Sequence, residues 1–472
     1  MKKFLTAIII LLSILVFSRD NTVAESLRLK QTNVDFLSAL PKVKKHKMNN
    51  DLGILYIKDE LPVTVINASI SFGKMYEDSS NAGIADTLTT TLSIAGTASY
   101  RGNTLYQRIE SIGGTVRINA GWETIEIEIK ALSKYNDLAF NILGDILKNP
   151  VFEDEGVSSA KKLVTEKIMR GMDKPDEIGI LKLREIIFCG SGYGASPSVK
   201  SIEAINPESL KQIWNRFATG NNITVAVSSS MDENSIKSLA EKELAGIEKG
   251  NKETYGVDKD KIIDSIKSSA GKIYLIHMEL EQATIYTGTL APAVNYDGNY
   301  ALYTMNYILG GGSFNSRLMN DIRVKRGLAY SVFSLVRNRR NTGVFIGFVQ
   351  TRNESVSEVL SLINNNITKM CNEPVGNDEL QWAKESIKNS YIFRFDNIED
   401  ILSNYLDLEY NGLSSDYYEN YLTNINNVTV SKITDESKKL FNYGLVTVVV
   451  GNLNLKNELS SLGEVVVLSD VK

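Results

Sequence analysis

The sequence predicts an α+β protein made of two similar domains, each with an antiparallel sheet covered by helices. Three observations support this fold class. The chain has 472 residues, and single cores rarely grow beyond about 250 to 300 residues. Its hydrophobic pattern switches between the periods of strands and helices. The same order of elements then returns roughly 220 residues later, a domain-sized period that indicates a duplication and excludes a solenoid.

The first half begins with a strand. Residues 66–72 alternate apolar and polar side chains, as on a half-buried antiparallel strand. Residues 79–81 offer a helix cap, and apolar residues then recur at four-residue spacing until Gly96. The following elements are a hairpin after Gly113-Gly114, a helix ending before Pro150, a helix over about 154–172 and a valine-rich strand near 225–227.

The second half repeats this order. A strand is predicted over 284–289 and a helix over 299–309, followed by a hairpin, a helix over about 353–370 and a valine-rich strand at 446–450. The hairpin arms are 329–336 and 343–350. The polar stretch 248–267 is the natural linker, although it also suits a solvated helix face. The predicted domains are therefore 25–247 and 268–472.

The amino terminus resembles a secretory signal peptide, assigned to residues 1–24. Met1-Lys2-Lys3 precedes a mostly apolar run over 5–17 that is shorter than the roughly 20 residues of a spanning helix. Cleavage after Ser18 or Ala24 fits the small-residue rule, while an uncleaved anchor or a buried helix stays open. We expect an exported protein of a bacterial periplasm, with no other membrane segment. There Cys189 and Cys371 could pair, which the sequence leaves undecided.

Composition excludes several classes of function. With 52 Lys and Arg against 56 Asp and Glu, the net charge is −4, and no basic excess favours nucleic acid. The chain contains no P-loop and no G-x-S-x-G motif. Its only histidines are His46, which resembles a surface residue, and His277, in an apolar strand-like run that suits a core or edge position. A zinc site needing two imidazoles from this chain alone is therefore hard to build.

The second half carries a long signature made of residues 309–318, Ile322-Arg323 and 327–332. This signature resembles that of the pitrilysin/insulinase peptidases, which are inverzincins, and the nearest branch contains mitochondrial processing peptidase and bacterial two-subunit proteases. The first half contains shorter matches to the same family, including Gly83-Ile84-Ala85, and they occur in the order expected for it. The resemblance therefore covers nearly all of 48–465. It implies a duplicated processing-peptidase-like fold and a role in the proteolysis of peptides.

The zinc motif of that family is degenerate in this chain. Aligning residues 83–85 places H-x-x-E-H on Asp86-Thr87-Leu88-Thr89-Thr90. Asp86 and Thr90 then stand at the two histidine positions, and Thr89 stands at the position of the catalytic glutamate. The family's zinc site also uses a later glutamate, and Glu166 is the one residue of this chain that matches the ligand type expected at its position. Threonine is a poor zinc ligand and no general base near neutral pH, and two carboxylates suit only a hard cation. We therefore expect no metal and no autonomous catalysis, with Glu166 as a leftover surface residue; an unusual site around Asp86 and Glu166 is a weaker alternative.

The second-half signature implies a different role. In the resembling family an Arg and a Tyr at the positions of Arg323 and Tyr330 hold the substrate and stabilise the oxyanion in a zinc site of the other domain, a task suited to two hydrogen-bond donors. The competing interpretation is a surface Arg323 paired with Asp321 and a core Tyr330. In mitochondrial relatives a glycine-rich stretch like Gly310, Gly311 and Gly312 helps to receive substrate. Glycines at these positions are equally expected at the end of a helix followed by a tight turn.

These features together predict a non-catalytic subunit. The chain would complete its active site with a zinc-bearing homologous subunit, which holds the zinc while this chain binds no cofactor. The alternative is a non-enzymatic scaffold or peptide-binding protein of the same fold, and whether the chain also forms homodimers stays open. A basic group around the second hairpin is either solvated or steers acidic segments: Arg323, Lys325, Arg326, Arg337, Arg339 and Arg340.

Overall fold

A computed structural model describes residues 40–468, so the predicted signal peptide, 1–24, lies outside the described residues. The strands are β1 (Lys44–Lys47), β2 (Gly53–Lys58), β3 (Val63–Ile70), β4 (Thr115–Ala120), β5 (Ile125–Leu132), β6 (Ile223–Ser229), β7 (Lys272–His277), β8 (Gln282–Ala291), β9 (Ala329–Asn338), β10 (Gly343–Arg352), β11 (Val446–Gly451) and β12 (Glu464–Leu468).

The α-helices are α1 (Ile84–Ala95), α2 (Thr104–Glu110), α3 (Asn136–Lys148), α4 (Asp154–Gly171), α5 (Pro175–Ile187), α6 (Val199–Ala204), α7 (Pro207–Phe217), α8 (Glu233–Leu244), α9 (Lys259–Ser269), α10 (Asn299–Asn306), α11 (Val356–Asn372), α12 (Asn377–Ser390), α13 (Ile398–Asn411), α14 (Tyr417–Asn426), α15 (Val430–Phe441) and α16 (Leu455–Leu459). Two π-helical turns occupy Tyr307–Gly311 and Met319–Val324. Short 3₁₀ turns occupy Lys74–Tyr76, Ser133–Tyr135, Gly192–Gly194, Gly220–Asn222, Ser313–Asn315, Asn353–Ser355 and Tyr391–Phe395.

The strands form two six-stranded sheets with the same internal order. The first runs β1-β2-β6-β3-β5-β4 and the second β12-β7-β11-β8-β10-β9. Five strands correspond one to one: the late valine-rich strand lies between β2 and β3 in the first half, as β6, and between β7 and β8 in the second half, as β11. Only the outermost strand differs: β1 lies antiparallel to β2, whereas β12 lies parallel to β7. The predicted duplicated α+β fold is confirmed.

Each sheet buries one face against helices of its own half. In the first half Ile66 and Ile127 pack with Leu88 of α1 and Phe140 of α3. The second half builds the equivalent core from β8, β10 and β11 against α10, α11 and α15. These faces explain the periodicity of the sequence, since apolar residues recur at two-residue spacing in the strands and at three- or four-residue spacing in the helices.

The opposite face of each sheet is covered by a helix from the other half. Helix α5 of the first half packs on β8 and β11 of the second sheet, and α13 of the second half packs on β3 and β6 of the first. Glycines permit the close approach: a Cβ on Gly179 of α5 would lie 2.7 Å from the Tyr286 ring, and one on Gly288 of β8 would lie 2.9 Å from Leu183. The described residues from Pro41 onward accordingly form one compact unit.

This exchange corrects the predicted half-burial of the first strand. Ile66, Ala68 and Ile70 face the core as expected, but Asn67 and Ser69 on the other side are also buried. Helix α13 covers them, and the Asn67 side-chain amide donates to the Ser403 hydroxyl at 3.4 Å. Polarity alternates along this strand while burial does not, because the covering helix comes from more than 300 residues away in the chain.

Smaller features complete the description. The predicted linker, 248–267, contains the beginning of α9, whose Ile262 and Ile266 are buried. Cys189 and Cys371 are both free thiols. His46 lies in the edge strand β1 and is half-buried, and His277 ends β7 with its Nε2 3.5 Å from a carboxylate oxygen of Glu279. Within residues 40–468, no helix has the length and apolar character needed to cross a membrane.

Candidate functional site

The helix with the degenerate zinc motif, α1, is capped by a buried glutamate that sequence reasoning missed. The carboxylate of Glu77 accepts hydrogen bonds from the backbone N–H groups of Gly83 (2.9 Å) and Ala85 (3.0 Å). The predicted cap at residues 79–81 is wrong, since the N-cap is Gly83, with a φ of 91°, and no side-chain cap from 79–81 reaches the helix. Burial raises the pKa of Glu77 to about 7, against the lowering effect of the two backbone donors.

Asp86, at the first histidine position, is neutralised by lysines of the same chain. Its Oδ2 lies 2.8 Å from Nζ of Lys74, and its Oδ1 lies 4.0 Å from Nζ of Lys167 on α4. The neighbouring helix α4 does reach the motif, as the resemblance implies. However, the side chain that α4 extends towards Asp86 is that of Lys167. Its positive charge balances the Asp86 carboxylate, as a bound metal ion would.

The threonines of the motif serve the helix itself. Thr89 is buried, and its hydroxyl donates to the backbone carbonyls of Ala85 (3.1 Å) and Asp86 (3.2 Å). Thr90 is half-buried and forms no hydrogen bond through its side chain within the described residues. Back-bonding to the preceding turn is the usual way in which a helical threonine satisfies its hydroxyl. This face of α1 is therefore committed to helix packing.

Glu166 is exposed on α4. Within residues 40–468 no group of three His, Cys, Asp or Glu side chains is arranged to hold a metal ion. Zinc needs three such ligands in a catalytic site, and Asp86 is already paired with an ammonium group. The zinc that the inverzincin resemblance implies does not fit the residues at this position.

The glycine-rich segment forms a wide helical turn packed against β9. Gly310 and Gly311 end the π-helical turn Tyr307–Gly311, a local widening that often occurs at functional sites. A Cβ on Gly310 would lie 2.6 Å from the backbone N of Ser334, and one on Gly312 would lie 2.5 Å from the Trp382 ring. The glycines at 310 and 312 are buried, and these close approaches alone require glycine at both positions.

Arg323 and Tyr330 lie together at the end of the second sheet. The guanidinium carbon of Arg323 is 4.9 Å from the centre of the Tyr330 ring and 5.1 Å from the centre of the Phe314 ring. Arg323 comes from the second π-helical turn, Met319–Val324. The two rings hold the planar cation by cation–π contacts, which leave the edges of the guanidinium free to donate hydrogen bonds.

A β-bulge directs Tyr330 outward. In the β9–β10 pairing, Gln350 faces Ser331 and Thr351 faces Ala329, so Tyr330 is the extra residue. Its side chain is 78% exposed, whereas its neighbour Ala329 is buried. Bulges re-aim single side chains next to active sites. Tyr330 is therefore not a core residue, contrary to the competing interpretation.

The donors of Arg323 and Tyr330 are unpaired within residues 40–468. Asp321, the alternative partner of Arg323, instead accepts from Lys325 (2.9 Å) and from the Asn366 amide (3.1 Å). Arg323 differs in this from its basic neighbours: Lys325 donates to the Asp321 carboxylate and Arg326 donates to the Asp321 backbone carbonyl. Two free donor groups side by side are suited to binding an anionic or carbonyl oxygen.

The predicted basic cluster is in fact two groups. Arg323, Lys325 and Arg326 precede β9, whereas Arg337, Arg339 and Arg340 follow or end it. A strand rises about 3.3 Å per residue, so the ten residues of β9 hold the two groups roughly 30 Å apart. A hairpin places charges together only when they sit on opposite arms near the turn, and these sit at the two ends of one arm.

The sequence analysis did not identify two side chains that matter here, Phe314 beside Arg323 and Glu77 at the start of α1. Phe314 belongs to the signature at 309–318, but only the structure shows that it packs on Arg323. An exposed phenylalanine (59%) beside an arginine and a tyrosine is a signal visible only after folding. Glu77 gave no signal, because its acceptance of two backbone donors depends on a loop whose path the sequence does not reveal.

Comparison with known proteins agrees with this architecture. The insulinase (peptidase family M16) model matches residues 55–196, and the peptidase M16 inactive domain model matches residues 204–387. An uncharacterized zinc protease of Rickettsia felis is 24% identical over 87% of this chain and 98% of its own length. The non-peptidase homolog YmxG of Helicobacter pylori is 22% identical over 85% and 92%.

The fold is also that of a solved structure. The peptidase M16 inactive domain from Pseudomonas fluorescens superimposes with a TM-score of 0.78 at 20% identity, covering 87% of this chain and 98% of that one. The two family models together match more than half of the chain, on both sides of the duplication. The chain therefore belongs to the insulinase, or M16, family of peptidases.

Proposed function

We propose that this chain is a zinc-less M16 subunit that pairs with a zinc-bearing homologous subunit and supplies Arg323 and Tyr330 to its peptidase site. The observation that carries the proposal is the pair itself. The two donor groups are close together and free of partners within residues 40–468; Tyr330 is 78% exposed and Arg323 is half-buried. The family resemblance gives these positions a role in binding peptide and stabilising the oxyanion.

The chemistry of the pair suits that role. Hydrolysis of a peptide bond places negative charge on the carbonyl oxygen in the transition state, and preorganised donors stabilise it. Arg323 is held between Phe314 and Tyr330, so its guanidinium is oriented before substrate arrives. Removing one donor from such a site typically lowers kcat by about 10² to 10³.

The residues around the pair form an exposed apolar rim. Phe314 is 59% exposed, Val324 58% and Tyr330 78%. Apolar side chains that cluster at the surface around polar groups are typical of interaction sites. In this proposal a peptide and the zinc-bearing subunit cover the rim when the two subunits close over the substrate.

The division of labour follows from α1. Asp86 is paired with Lys74 and Thr89 is bonded to its own helix, so this chain offers no zinc site of its own at the motif. A zinc ion held by the partner would polarise the attacking water. This chain contributes binding and oxyanion stabilisation, and the predicted signal peptide supports a periplasmic location for the pair.

The test is reconstitution. The purified chain, freed of its signal segment, should cleave no peptide alone, and it should restore turnover when it is mixed with a zinc-bearing M16 homologue from the same cell. Tyr330→Phe, which removes only the hydroxyl, and Arg323→Gln should each lower kcat by at least tenfold. The dissociation constant of the two subunits, measured by sedimentation, should change less than threefold.

Matched controls separate this role from general damage. Arg352→Gln alters an exposed arginine paired with Glu354, and Tyr135→Phe alters a tyrosine far from β9 in sequence. Neither should affect turnover. Metal-dependent cleavage by the isolated chain would refute the proposal. Full turnover with both Arg323 and Tyr330 substituted would instead favour a scaffold that binds peptide or partner without taking part in hydrolysis.

A further inference from the structure

A pocket lies at the end of β9 that is distant from Arg323 and Tyr330. It encloses about 270 Å³ between helix α5, the β4–β5 turn and the β9–β10 hairpin. Pockets for small ligands start at about 300 Å³, so this one suits a compact molecule. The side chains used below are Trp122, Arg184, Phe188, Tyr193, Arg337 and Arg339.

Three arginines line this pocket, and no carboxylate lines it with them. Within residues 40–468, Arg184, Arg337 and Arg339 form no ion pair, and no Asp or Glu lines the pocket. Burial, together with repulsion from Arg339 and Arg337, lowers the pKa of Arg184 to about 10. Partly buried cations without counter-charges are costly unless an anion binds there.

One acid beside the pocket, Glu123, is already engaged. Its Oε1 accepts from the Tyr193 hydroxyl (2.6 Å) and from the backbone N–H of Arg340 (3.0 Å). The contact with Arg340 joins the β4–β5 turn of the first sheet to the β9–β10 hairpin of the second, and the contact with Tyr193 joins the same turn to Gly192–Gly194 of the first half. Glu123 and Asp407 both raise the pKa of Arg339, and both line the adjacent cavity that Arg337 and Arg339 also line, so they offset part of the charge of these two groups. No acid acts on the pKa of Arg184 in this way.

The rest of the wall is aromatic. The guanidinium carbon of Arg184 lies 4.5 Å from the centre of the Trp122 ring, and Phe188 and Tyr193 pack with centres 5.5 Å apart. Flat apolar walls beside guanidinium groups bind molecules that combine an anionic end with an apolar or aromatic body. Guanidinium groups donate two parallel hydrogen bonds to a carboxylate.

We propose that this pocket binds the carboxylate of a small aromatic or apolar acid, with Arg184 and Arg337 on the carboxylate and Trp122 against the body. The carboxylate can belong to a free organic acid or to the carboxyl terminus of a short peptide. Binding here does not depend on a zinc-bearing partner, because every lining residue belongs to this chain.

Calorimetry on the purified chain tests this with hippurate, a carboxylate joined to a phenyl ring through an amide. Hippurate should bind one to one and quench the fluorescence of Trp122. Its neutral amide should bind at least tenfold more weakly, as should hippurate to Arg184→Gln or Arg337→Gln. Arg216→Gln is the matched control, since Arg216 also stacks on a ring, 4.9 Å from Phe217, outside the pocket; it should leave binding unchanged.

Comparison of Ala-Ala-Phe with hippurate identifies the source of the carboxylate. Tighter binding of the peptide points to carboxyl termini, tighter binding of hippurate points to small acids, and either supports the proposal. Equal binding of hippurate and its amide overturns it, as does unchanged affinity in both arginine variants. Inorganic phosphate binding as tightly as hippurate would also overturn it, because the aromatic wall would then contribute nothing.

Discussion

Arg317 and Glu379 form a two-point ion pair, with Nε 2.8 Å from Oε1 and the terminal Nη2 2.7 Å from Oε2. The pair ties the segment between the glycine-rich turn and Arg323 to helix α12. Both side chains are largely buried, with exposed fractions of 19% and 27%. Two parallel charge-assisted hydrogen bonds fix direction as well as distance, so this pair holds the approach to Arg323 in place.

A double-mutant cycle should show that this pair stabilises the fold. Arg317→Gln and Glu379→Gln, alone and together, should give a coupling free energy of about 1 to 3 kcal/mol in urea unfolding. The exposed pair Arg101 and Glu153 is the control, with 61% and 64% exposure, and should give a coupling below about 1 kcal/mol. Equal coupling in the two pairs would show that burial does not strengthen the Arg317 contact.

Glu77 predicts a specific dependence of stability on pH. Its pKa is raised from 4.5 to about 7 in the folded chain, so folding favours the protonated form. The stability it contributes is complete below about pH 4.5 and is lost as the pH rises through 7. The free energy of unfolding should therefore fall across this window by up to about 3 kcal/mol, at about 1.4 kcal/mol for each pKa unit.

Comparison of variants isolates the Glu77 effect from other titrating groups. Glu77→Gln should lose this component of the pH dependence, while Glu354→Gln, an exposed carboxylate, should keep the wild-type slope. The measurement is urea unfolding at half-unit intervals from pH 4 to 8. Parallel curves for Glu77→Gln and the unchanged chain would contradict the burial argument.

Gly310 tests whether the glycine-rich segment is required for packing. Gly310→Ala places a Cβ 2.6 Å from the backbone N of Ser334, which cannot move aside without disturbing β9. Overpacking of this kind costs about 1 to 3 kcal/mol, and thermal unfolding should detect it. Gly256→Ala is the control, since nothing lies within 4 Å of its Cβ position, and it should change stability by less than about 0.5 kcal/mol. Equal midpoints for the two variants would argue against a packing requirement.

Much of the fold is predictable because its cores impose simple periods. Ile66, Ala68 and Ile70 alternate because one face of β3 meets α1 and α3. The helices over 84–95 and 154–171 lie within a few residues of their predicted bounds. The signature also singled out Arg323 and Tyr330, and the structure shows their guanidinium carbon and ring centre 4.9 Å apart.

The remainder depends on contacts that no local pattern encodes. The bulge at Tyr330 arises from the pairing register of β9 with β10, and the cap from Glu77 arises from a loop that folds back on α1. The buried polar side of β3 required knowledge that α13 lies over it. In each case the partner is selected by tertiary packing, and a sequence window around the residue carries no trace of it.

The exchange of helices α5 and α13 makes the two halves interdependent for folding. Expressed alone, the first half would lack the cover of β3 and β6, and the second half would expose the valines of β11 that α5 shields. A hinge between the sheets would have to pull both helices off their surfaces at once. Under the proposed function, a peptide would therefore enter between this chain and its partner subunit and not between the two sheets of this chain.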